Sequence, residues 1–382
     1  MSNATLTKPT TVLLGALAGL VVSGLLVFNG LSTQGHAAFN TNNLGISWGL
    51  AIVVYDYFLL TSTGLAMVAA LALLFGGDNW APVVKRCLWL ALAGLAGGVA
   101  VLMLELGHPL RALWAIPTSL QFESPLFWKV LFVAAYVLLL LLLFAHVSRA
   151  SWTADSARPL SVALLLVALG VTGLAGSVYG TMSMRPFWSS GDVPVAFIVE
   201  SLLGGVAFMV FFSYLAYGLS QEGMPDDLRR LLNGPLPTAL SLAIVFHGMF
   251  VLARTSIGLW SNAEGHEVWW HIIRSPLFHI EVWVGLALPL ILMVHPRLRI
   301  QGRMQIAAAF LVMVSLFISR YDYIMGGQLV PLFKGAWAPD LLRYVPSFTE
   351  WMLLLLAIFL ANVVNAFGER VLGLSSGRSA RA

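Results

Sequence analysis

The chain has 382 residues, of which 59% are hydrophobic and only 10% are charged, and its mean hydropathy is +0.86. Soluble domains carry about 25% charged residues, so this composition excludes a soluble enzyme, a nucleic-acid binder and a disordered chain. The net charge of +4 is spread over short loops and forms no basic patch. The single cysteine, Cys87, excludes an iron–sulfur cluster or a cysteine-based zinc site built by this chain alone.

Ten apolar stretches follow one another along the chain, each with about 20 residues, enough to cross a ~30 Å hydrocarbon core. Lipid cannot satisfy open backbone groups, so each stretch is expected to be a helix. The first is longer than the apolar part of a signal peptide and is expected to be retained. The sequence therefore predicts an all-α integral membrane protein with helices at roughly 11–30, 47–75, 84–105, 126–147, 159–182, 194–219, 236–257, 271–294, 304–322 and 348–372.

The distribution of Lys and Arg predicts how these helices are oriented. If the N-terminus and the even-numbered loops share one side, that side holds 13 of the 21 Lys and Arg residues. The richer side faces the cytoplasm, so both termini are predicted to be cytoplasmic in a bacterial inner membrane. The odd-numbered loops are then periplasmic, and the long loops 106–125 and 323–347 are the expected partner-binding face.

Ionisable side chains within the predicted helices are concentrated in the outer half. Such residues are costly in a bilayer and are therefore candidates for functional groups. Asp56 lies on the second helix, Glu105 ends the third, and His247 lies near the middle of the seventh. Because at least six helices contribute, the pattern predicts a polar site inside a helical bundle. The remaining members are Glu200, His279, Glu281, Arg320, Asp322 and Glu350.

Each of these residues also has a structural interpretation. Glu105 and Asp322 stand at helix ends, where a carboxyl group is simply interfacial, and Arg320 would pair with Asp322. His247 fits a hydrogen-bonded packing residue better than it fits a ligand. Tryptophan in membrane proteins is typical of interfacial belts, and this placement is expected for Trp188, Trp269, Trp270 and Trp351.

Short motifs occur in a fixed order over residues 45–365, mostly at helix ends. The first half contains Trp48-Gly49, Tyr55-Asp56-Tyr57-Phe58, Gly64, Glu105-Leu106-Gly107-His108-Pro109-Leu110-Arg111, Gly176-Ser177, Tyr179-Gly180 and Arg185-Pro186-Phe187-Trp188. The second half contains Phe278-His279-Ile280-Glu281, Gly326-Gly327-Gln328-Leu329-Val330-Pro331, Tyr344-Val345-Pro346-Ser347 and Glu350-Trp351. This series resembles the NrfD/polysulfide reductase C (PsrC) family of quinone-interacting membrane subunits, in particular its ten-helix HybB/DsrP-like branch.

Two positions depart from that family pattern. The acid that ends the third helix is often Asp in the family and is Glu105 here, and the usual Trp of the Phe-Trp-x-Glu helix is His279. The resemblance implies two four-helix bundles, formed by helices 2–5 (about 47–182) and helices 6–9 (about 194–322). Helices 1 and 10 would flank them.

The resemblance also implies a function. It identifies a membrane subunit of a respiratory oxidoreductase complex, not catalytic alone, that exchanges electrons and protons with menaquinone or ubiquinone near the periplasmic face. Its implied partners are a periplasmic four-cluster ferredoxin-like iron–sulfur subunit and a further catalytic or cytochrome subunit. Because the chain has no cysteine set for a cluster, electrons must pass to or from such a partner. Coupled proton translocation ranks lower, since the inner halves of the helices contain few ionisable groups.

Two groups of site residues follow. Asp56, Glu105 and His108 are expected to carry proton chemistry, and the quinone ring is expected to be held by Tyr55, Arg111, Tyr179 and Arg185. Glu105 and His108 are three positions apart and can face one cavity, although a loop-stabilising contact explains His108 and Arg111 equally well. The second group is either a proton-transfer route or the structural core of the second bundle, and it consists of Glu200, His247, His279, Glu281, Arg320 and Asp322.

Three other functions remain open. A haem b cytochrome would use His247 and His279 as axial ligands. A secondary transporter would also place acids inside the membrane, although the sequence has no clear pair of broken helices. The third alternative is an anchor for a periplasmic enzyme, in which Asp56 and Glu105 would have no role in turnover.

Overall fold

The computed structural model of the protein describes residues 8–41, 45–76, 80–149, 151–262, 265–332 and 339–374. Ten helices in this part are long and apolar enough to cross a membrane, and no strand occurs within it. The prediction of an all-α, multi-pass integral membrane protein is therefore confirmed. Lys334, Arg378 and Arg381, which entered the charge comparison, lie outside the described residues, as does part of the 323–347 loop.

Nine of the ten membrane helices contain one continuous α-helical run each. The remaining membrane helix, the eighth along the chain, is formed by α11 (Pro276–His279) and α12 (Leu288–Val294). The two are joined by the π-helical segment Ile280–Ala287. The nine are α1 (Lys8–Gln34), α2 (Leu50–Leu71), α3 (Ala81–Glu105), α5 (Pro125–Val147), α6 (Ala154–Gly180), α7 (Val193–Ala216), α9 (Pro235–Trp260), α13 (Gly302–Leu329) and α14 (Phe348–Val371). Between them lie the shorter helices α4 (Pro109–Thr118), α8 (Asp226–Asn233) and α10 (Val268–Ile273).

Two boundaries differ from the sequence-based expectation. Helix α13 continues to Leu329 instead of ending near residue 322, and in this extension Gly326 and Gly327 leave room for the rings of Phe187 and Trp188. The predicted loop 106–125 contains α4, whose first residue is Pro109. Proline is well suited to the first turn of a helix, where its missing N–H is not needed.

Helix α2 lies at the centre of the bundle and is buried along almost its whole length. It packs against α3, α6, α7, α13 and α14. The crossing with α7 is close because Gly64 and Gly205 face each other, and a methyl group on either would overlap the backbone of the opposite helix. The same crossing is bridged by hydroxyl groups, since Ser201 Oγ lies 2.9 Å from Thr63 Oγ1 and donates to the carbonyl of Leu60 at 2.6 Å.

Helices α1 and α14 pack against each other at one side of the molecule, and α14 also packs on α3. A buried ion pair ties α14 to α3, in which Arg86 Nε lies 2.6 Å from Glu369 Oε1. The division of the remaining helices into two four-helix bundles stays a prediction. The broad contact between α2 and α7 joins the two groups of helices along their length.

Candidate functional site

The carboxyl group of Asp56 is the centre of a buried polar cluster at the end of the bundle where α2 begins, which we name the site end. Asp56 lies six residues after the start of α2, about 9 Å along the helix, and only 1% of its surface is exposed. The hydroxyl of Tyr179, at the end of α6, donates to Asp56 Oδ2 at 2.5 Å. Asp56 Oδ1 makes no hydrogen bond with any described residue.

Lys129 on α5 supplies the positive charge next to this carboxylate. Its Nζ lies 3.6 Å from Asp56 Oδ1 and 5.0 Å from the centre of the Tyr55 ring. Lys129 is itself buried, whereas Tyr55 is partly exposed. Lys129 was not predicted as a site residue because it was counted with the charges of the outer side. The signal was available, since Lys129 is the fifth residue of an otherwise apolar membrane helix.

Aromatic rings surround the Tyr179 side of the cluster. The ring of Tyr179 contacts Trp48 at 5.5 Å and Trp188 at 5.2 Å between centroids, and the two indoles are stacked on each other. The prediction that Trp188 belongs to an interfacial belt is wrong. Trp188 is buried, and its indole N–H donates to the carbonyl of Tyr323 at 2.8 Å.

The segment 45–50, which leads into α2, is held by side chains from distant parts of the sequence. Arg185 donates to the carbonyls of Gly45 and Val330 at 2.6 and 3.0 Å. The Gln328 side chain accepts from the backbone N–H groups of Ser47 and Trp48 at 2.9 and 2.8 Å. These contacts fix Trp48 against Tyr179. Arg185 is thus engaged with backbone carbonyls, and burial lowers the pKa of its guanidinium.

The first turn of α14 closes the same segment. Glu350 accepts from the N–H of Leu50 at 3.0 Å and from the hydroxyl of Tyr344. It also completes a capping box with Ser347, in which each side chain accepts from the other residue's backbone N–H. Glu350 was grouped with the membrane acids on sequence alone, and in the fold its carboxylate is saturated by these donors.

A second buried ion pair lies beside the first cluster. Arg320 of α13 pairs with Glu200 of α7, so the alternative that Arg320 pairs with Asp322 is wrong. The guanidinium also lies 3.9 Å from the centre of the Phe197 ring. Phe197 in turn contacts the ring of Tyr179 at 5.8 Å. The two clusters therefore share one aromatic wall.

A cavity of about 80 Å³ adjoins this ion pair and is lined by most of the second predicted group. Both ring nitrogens of His247 are buried in its wall without a hydrogen-bond partner among the described residues. The volume is suited to a few water molecules and is too small for a haem. The predicted members in the lining are Glu200, His247, Glu281, Arg320 and Asp322.

His279 does not belong to this cavity. Its side chain is exposed on the surface of the helix, while its neighbours Phe278 and Glu281 line the cavity. The pair of axial ligands that a haem b would need is therefore not formed by His247 and His279. The π-helical segment Ile280–Ala287 follows His279 and contains Glu281. An inserted residue rotates the side chains after it around the helix, and this contributes to the inward direction of Glu281.

Three of the predicted residues lie apart from Asp56. Gly98 packs on the backbone of Tyr55, and Glu105 lies seven residues further along α3, about 10 Å closer to the end of the helix. His108 and Arg111 are exposed on α4. The structure thus brings Tyr55, Asp56 and Tyr179 together with Lys129, and it places Glu105, His108 and Arg111 above them at the surface of the site end.

Comparison with known proteins identifies the family. Residues 38–332 match the family described as polysulphide reductase, NrfD. The protein is 25% identical to the C subunit of selenate reductase from Mesobacillus selenatarsenatis over 353 residues, covering 80% of each sequence. It is 21% identical to the integral membrane subunit of an Hdr-like menaquinol oxidoreductase of Archaeoglobus fulgidus, covering 87% of this sequence and 86% of the relative.

A third relative is the C subunit of polysulfide reductase from Wolinella succinogenes, which is 23% identical over 225 residues. That match covers 54% of this sequence and 71% of the relative. These relatives are subunits of reductase and oxidoreductase complexes by name. The family match covers more than half of the sequence and includes Asp56, Lys129, Tyr179 and Arg320. The chain therefore belongs to the NrfD polysulphide reductase family of multi-pass membrane proteins.

Proposed function

We propose that this protein is the quinone-reactive membrane subunit of an oxidoreductase complex and exchanges electrons and protons between a partner iron–sulfur subunit and membrane quinone. The observation that carries the proposal is the buried contact of Asp56 with Lys129 and Tyr179 inside the membrane helices. Replacing such a pair with apolar residues is often neutral or stabilising, so stability alone gives little reason to keep it. Charged side chains in a bilayer are costly and are retained where they do chemistry.

The hydrogen-bond donors around Asp56 support the choice of a quinone as the ligand. Quinone carbonyls accept hydrogen bonds, and both the phenol of Tyr55 and the ammonium of Lys129 are donors. Tyr55 is partly exposed, so a ring arriving from the membrane meets it before it meets the buried acid. A bound quinone would accept two electrons and two protons on reduction to the quinol, and the quinol would release them on oxidation.

Within this site each residue has a separate task. Tyr55 and Lys129 would orient the ring carbonyls, and Lys129 also lies 3.6 Å from Asp56 Oδ1. The hydroxyl of Tyr179 holds Asp56 Oδ2, which leaves Oδ1 as the acceptor or carrier of a proton. The stacked indoles of Trp48 and Trp188 exclude water from the Tyr179 side.

The partner is proposed to dock at the site end. The only cysteine of the sequence, Cys87, is buried far from Asp56 along α3, so a cluster must come from another subunit. Helix α4 presents His108 and Arg111 together with exposed Leu110 and Trp114. We propose this face, with Glu105 beneath it, as the contact for a periplasmic ferredoxin-like subunit, with both termini in the cytoplasm of a bacterium.

The second polar group is proposed as a proton path that reaches the site through the Glu200–Arg320 pair and the small cavity next to it. Coupled translocation across the whole membrane ranks below this local role. The buried polar side chains of α2 deeper than Asp56 are hydroxyl groups, namely Thr61, Ser62 and Thr63. Hydroxyl groups relay protons only together with ordered water.

Quinone-linked turnover of the purified complex tests the proposed function. Asp56→Asn is expected to lower turnover at least 100-fold while the complex remains assembled. Asp155→Asn is the control, because the Asp155 side chain is almost fully exposed at a helix start. Binding of a fluorescent quinol analogue to the isolated protein gives a second readout that needs no partner. Full turnover and unchanged analogue binding in Asp56→Asn would instead support a simple membrane anchor.

A further inference from the structure

A second cavity, of about 380 Å³, lies on another face of α2 and is lined by residues of α2, α3, α7, α13 and α14. Ligand pockets for small molecules have volumes of about 300–1,000 Å³. The cavity is lined largely by aromatic rings, and it contains none of the residues of the Asp56 cluster. The aromatic lining residues are Tyr57, Phe58, Phe208, Phe211, Phe212, Phe310 and Phe317.

The cavity lies deep in the membrane. Thr61, which lines it, is 11 residues into α2, about 16 Å along the helix, and Asn362 is 14 residues into α14, about 21 Å along that helix. A bilayer core is about 30 Å thick. Both polar side chains are therefore close to the middle of the hydrocarbon region, where an acyl chain offers no polar atom.

Thr61 is the polar group that points to a ligand. Its side chain is 97% buried and makes no hydrogen bond with any described residue, although it lines the cavity. The hydroxyls next to it on α2 are satisfied, because Ser62 donates to the carbonyl of Ala91 at 2.7 Å and Thr63 donates to that of Leu60 at 3.1 Å. A donor left free inside a bilayer costs stability unless a ligand accepts its hydrogen bond.

The cavity opens sideways towards lipid. Helix α14 packs on α1, α2 and α3, whereas α13 packs on α2, α7 and the 276–294 helix. Between α13 and α14, the lining residues Phe310, Val314 and Ile358 are exposed. A hydrophobic molecule can therefore enter from the membrane without crossing the site end.

We propose that this cavity, which we name the aromatic cavity, is a second binding site for a lipid-soluble quinone. Its ring would lie among the Phe side chains and accept a hydrogen bond from Thr61, and its isoprenoid tail would leave between α13 and α14. The class of ligand is argued from the geometry, since a flat, lipid-soluble ring with carbonyl acceptors satisfies both the aromatic rings and a mid-membrane donor. The choice of a quinone within that class rests on the proposed function.

Gly94 offers a way to fill the aromatic cavity without disturbing the helices. It lines the cavity, and a Cβ built on it would meet nothing closer than 3.7 Å, in contrast to Gly98, whose Cβ would lie 2.9 Å from Phe58. Gly94→Leu should therefore fold and occupy the volume. Thr61→Val removes the hydroxyl at nearly constant shape.

The test is photolabelling of the purified full-length protein in nanodiscs with an azido-quinone that carries an isoprenoid tail, followed by peptide mapping. We expect label on residues 310–317 and 354–362, with competition by unlabelled quinone and none by added phosphatidylcholine. Gly94→Leu should reduce this label at least tenfold, and Thr61→Val should weaken quinone competition roughly threefold to tenfold. Thr33→Val on the exposed part of α1 is the matched hydroxyl control.

This experiment distinguishes a failure of the second-site proposal from a failure of the proposed function at Asp56. Asp56→Asn should leave the label on α13 and α14 unchanged, and Gly94→Leu should leave any label near Tyr55 unchanged. Label in the aromatic cavity that phosphatidylcholine displaces as well as quinone does would overturn the proposal and identify an acyl-chain groove. Absence of label on α13 and α14 in the folded wild-type protein would overturn it as well.

Discussion

The ammonium of Lys129 lies 3.6 Å from the carboxylate of Asp56 although the two residues belong to helices that are not neighbours in sequence, α5 and α2. Both side chains are buried, so each is the main compensation for the charge of the other. This relationship predicts that the two side chains behave as a unit.

The stability of that unit can be measured by a double-mutant cycle. Lys129→Met alone is expected to lower the free energy of unfolding by about 3–5 kcal/mol, because it leaves a buried carboxylate without its partner. The double variant Lys129→Met/Asp56→Asn should recover much of that loss. Thermal or denaturant unfolding in detergent provides the measurement, and strictly additive losses would show that the two side chains do not interact.

Removing the Tyr179 hydroxyl should separate chemistry from packing. Tyr179→Phe keeps the ring against Trp48 and Trp188, so the expected loss of stability is that of one hydrogen bond to a buried carboxylate, about 1.5–3 kcal/mol. Quinone-linked turnover should fall roughly 100-fold, since Asp56 loses the donor that positions it. Tyr136→Phe is the matched control, because Tyr136 also has a buried hydroxyl, 2.8 Å from Ser62 Oγ. Equal effects of the two substitutions on turnover would contradict a special role for Tyr179.

The ion pair of Arg86 with Glu369 should contribute to stability without contributing to the site. Arg86→Met is expected to lower the free energy of unfolding by about 3–5 kcal/mol. The buried Glu369 carboxylate would lose its guanidinium partner near the start of α3, at the end of the bundle opposite the site end. Binding of a quinol analogue by the folded fraction should remain that of the wild type. A loss of binding with intact folding would show that the two ends of the bundle are coupled.

Alkaline pH should weaken the closure of α2 by α14. Burial, together with the neighbouring Glu350 carboxylate, raises the pKa of Tyr344 above its ordinary value of 10.0. The folded protein then holds this proton more tightly than the unfolded protein. The contribution of Tyr344 is complete below pH 10 and declines as the pH rises further, by about 1.4 kcal/mol per pH unit. Unfolding measured between pH 9 and 11 should decline less steeply for Tyr344→Phe, and identical slopes would contradict this assignment.

Run length and hydropathy were sufficient to predict the ten membrane helices, since both depend only on local composition. Asp56 and Tyr179 were predicted as members of one seven-residue ring pocket, through the motifs of the family. Lys129 was missed because it was counted with the charges of the outer side, although its place in an apolar helix marked it as unusual. Its pairing with Asp56 depends on which side of α5 faces α2, and helix packing decides that. Trp188 was misassigned for a similar reason, because a tryptophan after a helix end is usual at an interface and only the fold turns it inward over Tyr179.

The residues that hold segment 45–50 are synthesised in an order that bears on how the site is completed. The backbone of this segment is held by Arg185, Gln328 and Glu350, each of which is made later than the segment itself. During insertion into the membrane, α2 must wait for α13 and α14 before its first turn is satisfied. A polypeptide interrupted before residue 350 would therefore have every residue of the Asp56 cluster and still lack the Glu350 contact with the first turn of α2. Helix α14, which contributes no residue to the Asp56 cluster, is thus needed to complete the backbone hydrogen bonds at the start of α2.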